Sequence, residues 1–229
     1  RHPWRSSAVG RSRTVRSVRA CNYGSSVSRR LHPNSRVVVV LCHPNPGGFG
    51  AASARVAVDA LTAAGHSVTF FDLYAEGFDP VMSREELRRY QSSTPDVTGE
   101  LGRHIDAVRS ADALVFVYPT WGSGLPAVLK GWLERVMVPG VAFGFDARNK
   151  VVPALTGVKR IVVVSTYGSP RPYVALVNDN GRRILTRALR MSCGWRTRVT
   201  SLRLFSMDTQ DDAGRERHLR RIDNRMRAL

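Results

Sequence analysis

ALVFVYPTWGSGLPAVLKGWLERVMV, residues 113–138, decides the fold. Its first part, Ala113 to Tyr118, is an unbroken apolar run, short and rich in β-branched and aromatic residues, which predicts a strand buried on both faces. Pro119 lacks the N–H that would continue the ladder. Gly122 and Gly124 permit a tight loop, and Pro126 stands where the first turn of a helix tolerates proline. From there Leu125, Val128, Leu129, Trp132, Leu133 and Val136 fall at helical spacing. Strand, glycine loop, helix is the unit from which open α/β sheets build a ligand crevice at the carboxyl ends of their strands. An ordinary βα turn with a core helix behind it carries the same pattern.

The flanking sequence repeats the unit. Arg36 to Cys42 (RVVVVLC) predicts another strand buried on both faces, followed by the loop HPNPGGFG (43–50) and a helix over 51–64 that Gly65 ends. Ser67 to Asp72 is a strand parallel to the first. Residues 73–82 are irregular, Ser83 is a good N-cap for a short helix with Glu85 and Glu86 in its first turn, and 92–95 is a break before a crossover helix over 97–110. Beyond the central unit, 139–149 reads as an aromatic loop, 160–165 as a fourth buried strand, and 175–191 as helix with Asn180-Gly181 as an interruption. Residues 197–205 read as a fifth strand and 211–226 as a charged terminal helix. Five strands alternating with helices make an α/β domain with a doubly wound parallel sheet. Right-handed crossovers favour the flavodoxin-like order 2-1-3-4-5. In that order the first and third strands are neighbours with their helices on opposite faces, so the loops 42–50 and 118–124 flank one crevice and the loop 165–171 joins it.

Composition bounds the partners. The 229 residues carry a formal charge of +17. Residues 1–35 hold eight arginines and no acid, and have no hydrophobic periodicity, which predicts a disordered Arg/Ser-rich tail ahead of a domain at 36–229. The tail's composition resembles a transit peptide without an amphipathic helix. It begins at Arg1 rather than Met, so upstream or fragmentary sequence is expected and the stretch is left out of the fold. The remaining +9 raises attraction to anionic ligands generally. Nucleic acid is an unlikely partner because the tail has few aromatics to stack on bases. No apolar run reaches the length of a transmembrane segment. Cys21, Cys42 and Cys193 are far apart with no CxxC, which argues against a disulfide framework or a zinc site and for a reducing, cytoplasmic setting.

The first loop enters a helix N-terminus, whose free N–H groups favour an anion such as phosphate. It matches neither a P-loop nor GxGxxG. His43 would donate to that phosphate or hydrogen-bond its own loop, and Phe49 would plug the loop or cover the ligand's sugar chain. Thr120, Trp121 and the amides of Gly122 and Ser123 offer a flat aromatic surface with donors, as Thr166, Tyr167 and Gly168 do from the third loop. This set suits a flat heterocycle edged with carbonyls and ring nitrogens. There is no metal constellation and no locally supported Ser/His/Asp set, so a bound organic cofactor is the economical source of chemistry.

At HPNPGGF (43–49), DLYAEGFDP (72–80), YPTW (118–121), LPAVLKGWLERV (125–136), PGVAF (139–143) and TYG (166–168), the sequence resembles the NAD(P)H:quinone oxidoreductase family of flavoproteins in its bacterial branch. The resemblance implies a bound FAD (FMN in some members), a homodimer, and two-electron ping-pong reduction of quinone-like acceptors by NADH or NADPH. Carried over by position, His43, Phe49, Gly50 and Ala52 would hold the cofactor's phosphate and sugar chain. Pro119, Thr120, Trp121, Gly122 and Ser123 would border the flavin ring, as would Ser165, Thr166, Tyr167 and Gly168. Tyr173 would be the catalytic tyrosine that assists hydride transfer, while the family's partner histidine is replaced in the region of Asn178 and Asp179. Two further departures stand out. The family's SFN is Gly48-Phe49-Gly50 here, and two bulky aromatics expected after Trp121 are Gly122-Ser123. A weakened flavin loop would suit an alternative function, a flavin- or nucleotide-sensing regulatory subunit of a potassium-efflux transporter.

Overall fold

A computed structural model describes residues 30–92 and 99–229 of the chain. The tail up to residue 29, Cys21, the break at 93–95 and the first two residues expected in the crossover helix lie outside the described residues. The chain runs β1 (Arg36–Leu41), α1 (Phe49–Ala63), β2 (Ser67–Asp72), α2 (Arg84–Ser92), α3 (Gly99–Ser110), β3 (Ala113–Pro119) and α4 (Ala127–Val136). A hairpin follows, β4 (Phe143–Phe145) and β5 (Val151–Pro153), then β6 (Arg160–Thr166), α5 (Arg171–Leu176) and α6 (Asn180–Arg183). A π-helical turn at Ile184–Ala188 leads into α7 (Leu189–Cys193), β7 (Arg198–Leu204) and α8 (Asp212–Arg227).

The main sheet has the order β2-β1-β3-β6-β7 with every pair parallel. This is the expected 2-1-3-4-5 order once the hairpin strands are set aside. Alternate residues of the central strands feed two separate cores. Val38, Val40, Leu114, Phe116, Ile161 and Val163 face α3 and α4. Val37, Val39, Val115, Val117, Val162 and Val164 face α1 and α8. Each of these strands is therefore apolar along its middle (Val37–Leu41, Ala113–Val117 and Ile161–Val164), as a strand covered on both sides must be. α1 lies close to the sheet because the residues it buries are mostly alanines (Ala51, Ala54, Ala57 and Ala60). The helices after β1 and β3 do lie on opposite faces, as that order requires.

Three local expectations change. Residues 139–149 do not form an unstructured loop throughout. Part of the stretch pairs with 151–153 as the β4–β5 hairpin, in strands too short to show alternation. The helical stretch beginning near 175 breaks at Asn178 and Asp179, just ahead of Asn180-Gly181. The last residues of the expected tail touch the domain. Leu31 packs on the α1/α8 core and its N–H bonds to the carbonyl of Leu229, and Asn34 donates to Gly65 O at 2.9 Å.

Candidate functional site

Each loop is shaped by local bonds. In the first, Asn45 organises the turn: its N–H donates to His43 Nδ1 at 3.0 Å, its Oδ1 accepts the Gly47 N–H at 3.0 Å, and its carbonyl accepts the Gly48 N–H at 3.1 Å. His43 Nδ1 also lies 3.2 Å from the Asn45 carbonyl, so that nitrogen is engaged by its own loop and Nε2 is the one left to face a ligand. The His43 ring lies against Gly50, where a Cβ would meet ring carbons at 3.0–3.1 Å and have to push the ring aside. α1 begins at Phe49 with no side-chain cap at Gly48. Its first amides are therefore open to an anion. The Phe49 ring turns to α8, with its centroid 6.1 Å from that of His218.

The second loop is tied to β6 by the Thr120 N–H, which donates to Thr166 O at 2.8 Å. Gly122 and Ser123 both have positive φ, 54° and 59°, and the Gly124 N–H closes onto Trp121 O at 2.9 Å. Two such residues inside a closed four-residue turn are the mark of a type I′ turn, which small residues adopt most readily. This accounts physically for Gly122-Ser123. Trp121 remains 45% exposed, and its ring centroid is 6.3 Å from that of His43, so the first two loops meet.

The third loop is held by the Tyr167 N–H donating to Leu204 O at 2.9 Å. The Tyr167 side chain is buried, stacked on Phe205 with centroids 4.9 Å apart. Its hydroxyl accepts from Ser165 Oγ at 3.1 Å and donates to Asp179 Oδ1 at 3.0 Å. Burial first, with the adjacent Asp179 carboxylate, pushes this phenol up to about 12, so it remains a protonated donor. Below it the Tyr118 hydroxyl is buried without a hydrogen-bond partner, and burial pushes that phenol further up still.

The second and third loops, not the first, border one open cavity of about 350 Å³. It is lined by Thr120 to Ser123, by Tyr167 to Ser169, and by Tyr173, Val174, Val177 and Asp179, a wall from α5 and the residues after it. Of the residues singled out in sequence, Thr120, Trp121, Gly122, Ser123, Tyr167, Gly168 and Tyr173 line it. His43 adjoins through Trp121, and Gly50 and Ala52 lie at the start of α1. Pro119, Ser165 and Thr166 end the strands beneath, with Pro119 and Ser165 buried. Sequence reasoning missed Val174, Val177 and Asp179 as wall residues. Apolar spacing after Tyr173 signals the two valines, whereas Asp179 is marked only by the resemblance, as standing with Asn178 in the region of the family's partner histidine. Trp121 and Tyr173 give the cavity exposed aromatic surface, and the loops add hydroxyl groups. Burial pushes the thiols of Cys42 and Cys193 up to about 12, so neither is a nucleophile. Among the described residues no group of three or more His, Cys, Asp or Glu side chains could hold a metal ion, and no helix is long and apolar enough to cross a membrane.

A family model described as flavodoxin-like fold matches residues 35–226. NAD(P)H dehydrogenase (quinone) 1 of Cavia porcellus is 32% identical over 157 residues, covering 60% of this chain and 55% of its own length. Ribosyldihydronicotinamide dehydrogenase (quinone) of Homo sapiens is 31% identical over 173 residues, covering 66% of this chain and 71% of its own length. The solved structure of the NAD(P)H:quinone oxidoreductase from Methanothermobacter marburgensis is 26% identical with a TM-score of 0.70, covering 85% of this chain and 96% of that one. The match spans just over half the length of the Cavia porcellus protein.

Proposed function

The chain belongs to the flavodoxin-like fold family, and from that premise we propose that it is a flavin-dependent NAD(P)H oxidoreductase reducing quinones or related acceptors. The observation that carries the reading is one partly aromatic cavity lined by the second and third loops, which the first loop and its uncapped helix N-terminus adjoin through the His43–Trp121 contact. The donor set fits FAD or FMN. The α1 amides from Phe49 to Ala51 and Nε2 of His43 would hold phosphate, while Trp121, the amides of Gly122 and Ser123, and the Thr166–Gly168 loop would border the ring. The backbone amides stand in for the hydroxyl and amide lost from SFN, each worth about 1.5–3 kcal/mol when bonded to a charged group. When bound, the flavin supplies two-electron transfer between NADH or NADPH and the acceptor. The residues bind and orient: the Thr120–Ser123 turn and the Tyr173 wall would confine a flat acceptor, after the oxidised nucleotide has left, in a ping-pong cycle. Tyr173, 49% exposed on that wall, would polarise the reacting groups as the catalytic tyrosine.

The test is the absorption spectrum of purified protein after incubation with FAD or FMN and desalting. A retained flavin band, bleached by NADH or NADPH and restored by a quinone, is the expected result. Protein that stays colourless with both flavins overturns the enzyme reading in favour of a regulatory binding subunit. A homodimer in the cytoplasm completes the proposal. Phe145, Val151 and Val152 expose apolar surface on the β4–β5 hairpin, which suits a self-contact. Light scattering should give about twice 25.4 kDa, and a one-chain mass would remove this part.

A further inference from the structure

Asp179 is a carboxylate only 6% exposed, on the wall of the cavity. It sits in the break between α5 and α6, where it and Asn178 both adopt the left-handed region, with φ of 45° and 70°. Asparagine and aspartate are the non-glycine residues that enter that region most readily, and two in succession make a fixed turn where their surroundings hold them. Here three elements do so. The Tyr167 hydroxyl after β6 donates to Oδ1 at 3.0 Å, Arg182 Nε of α6 donates to Oδ2, and an Arg203 nitrogen of β7 lies 3.6 Å from that same oxygen. Tyr167 and Arg203 are further joined through Phe205, which stacks on Tyr167 and lies 5.2 Å from the Arg203 guanidinium. Gly181, two residues beyond, packs so closely on the second loop that a Cβ would lie 2.7 Å from the Gly124 carbonyl carbon. The break thus fastens the Tyr173–Val177 wall to both other sides of the cavity.

We propose that Asp179 is a positioning residue: by drawing Tyr167, Arg182 and Arg203 onto one carboxylate, it fixes the wall that carries Tyr173 and so sets the affinity for an aromatic acceptor. The inference rests on the oxidoreductase reading for its ligand class but not for its geometry. Removing the buried charge leaves two guanidiniums without their counter-ion, and the left-handed turn loses its clamp. Asp179→Asn separates the two contributions, because asparagine tolerates the left-handed region and still accepts from Tyr167 while losing the charge.

Amide hydrogen exchange on flavin-free protein reads the wall directly, and steady-state kinetics of the flavin-loaded enzyme with benzoquinone read its use. For Asp179→Asn, exchange across 173–183 should quicken about tenfold with the sheet unchanged, and KM should rise about tenfold with kcat within about twofold. Asp179→Ala should exceed this, and Tyr167→Phe, which removes one oxygen, should move both readings the same way by less. Should Asp179→Ala fail to fold, Tyr167→Phe decides. Unchanged exchange in Asp179→Asn and Tyr167→Phe overturns the clamp. Faster exchange with an unchanged KM, or a fall in kcat alone, overturns the role in acceptor binding. Wild-type protein that holds flavin but reduces no quinone overturns the oxidoreductase reading and the acceptor role with it, while exchange still decides whether Asp179 fixes the wall.

Discussion

Between about pH 7.5 and about pH 5 the protein is expected to lose about 4 kcal/mol of stability, about 2 from each of two buried histidines. His104 is fully buried, receives the Trp132 indole N–H at Nδ1 (3.2 Å), and has its Nε2 3.3 Å from Glu76 Oε2. Burial, then the guanidiniums of Arg103 and Arg135, lowers it from 6.5 to about 4. His218, on α8 beside Phe49, has neither ring nitrogen bonded, and burial followed by Arg221 lowers it equally, to about 4. The sign follows from linkage. Well above 6.5 neither state binds the proton. Below it the unfolded chain does and the folded chain does not, so stability falls with pH until about 4, where the folded histidines also titrate. Denaturant unfolding at a series of pH values measures this in a range where most carboxylates stay ionised. His218→Leu should remove about half of the loss, because it deletes one proton site without breaking a hydrogen bond. A stability profile flat from pH 7 to 5, or one that His218→Leu leaves untouched, would contradict the burial of these two rings as neutral groups.

The parts of the fold legible in sequence are those whose burial is uniform. β1, β3 and β6 are covered on both faces, so each is a continuous apolar run and its place is fixed without knowing its neighbours. The start of α2 was legible for a different reason. Ser83 and Glu86 form a reciprocal capping box, with the Glu86 N–H on Ser83 Oγ at 3.1 Å and the Ser83 N–H on Glu86 Oε2 at 2.7 Å. The hairpin at Phe143 and Val151 was not legible, since strands of three residues show no period. In the site, the loops could be read because strand ends and glycines mark them. Asp179 could not, because its partners Tyr167, Arg182 and Arg203 come from three elements. Only folding brings a carboxylate and two guanidiniums to one buried place. The sequence leaves His43 and Phe49 open between two roles each. The Asn45 N–H shows that one nitrogen of His43 serves its own loop, and the ring of Phe49 faces His218.

Gly131→Ala should destabilise the protein by about 2 kcal/mol or more, although alanine is normally better than glycine inside a helix by ~1 kcal/mol. Gly131 lies in the middle of α4, and a Cβ there would stand 2.3 Å from the carbonyl oxygen of Pro80 and 2.5 Å from its Cα. The obstacle is backbone, which cannot swing away as a side-chain end would. The helix and the 73–82 segment would have to part, and they are fastened elsewhere. Arg135 pairs with Glu86 at 2.7 Å, bonds the Asp79 carbonyl and lies over the Phe78 ring at 5.2 Å. Trp132 is tied through His104 to Glu76. Two stretches conspicuous in the sequence, DLYAEGFDP and LPAVLKGWLERV, are thus two sides of one contact, and Gly131 is the residue that lets them close. Because α4 begins directly beyond the Thr120–Gly124 turn, displacing it should also move that side of the cavity. Gly131→Ala is expected to lower the denaturant midpoint and to retain less flavin after desalting. A variant as stable as the parent would mean that α4 and Pro80 do not approach this closely, and that the spacing of the two motifs has another cause.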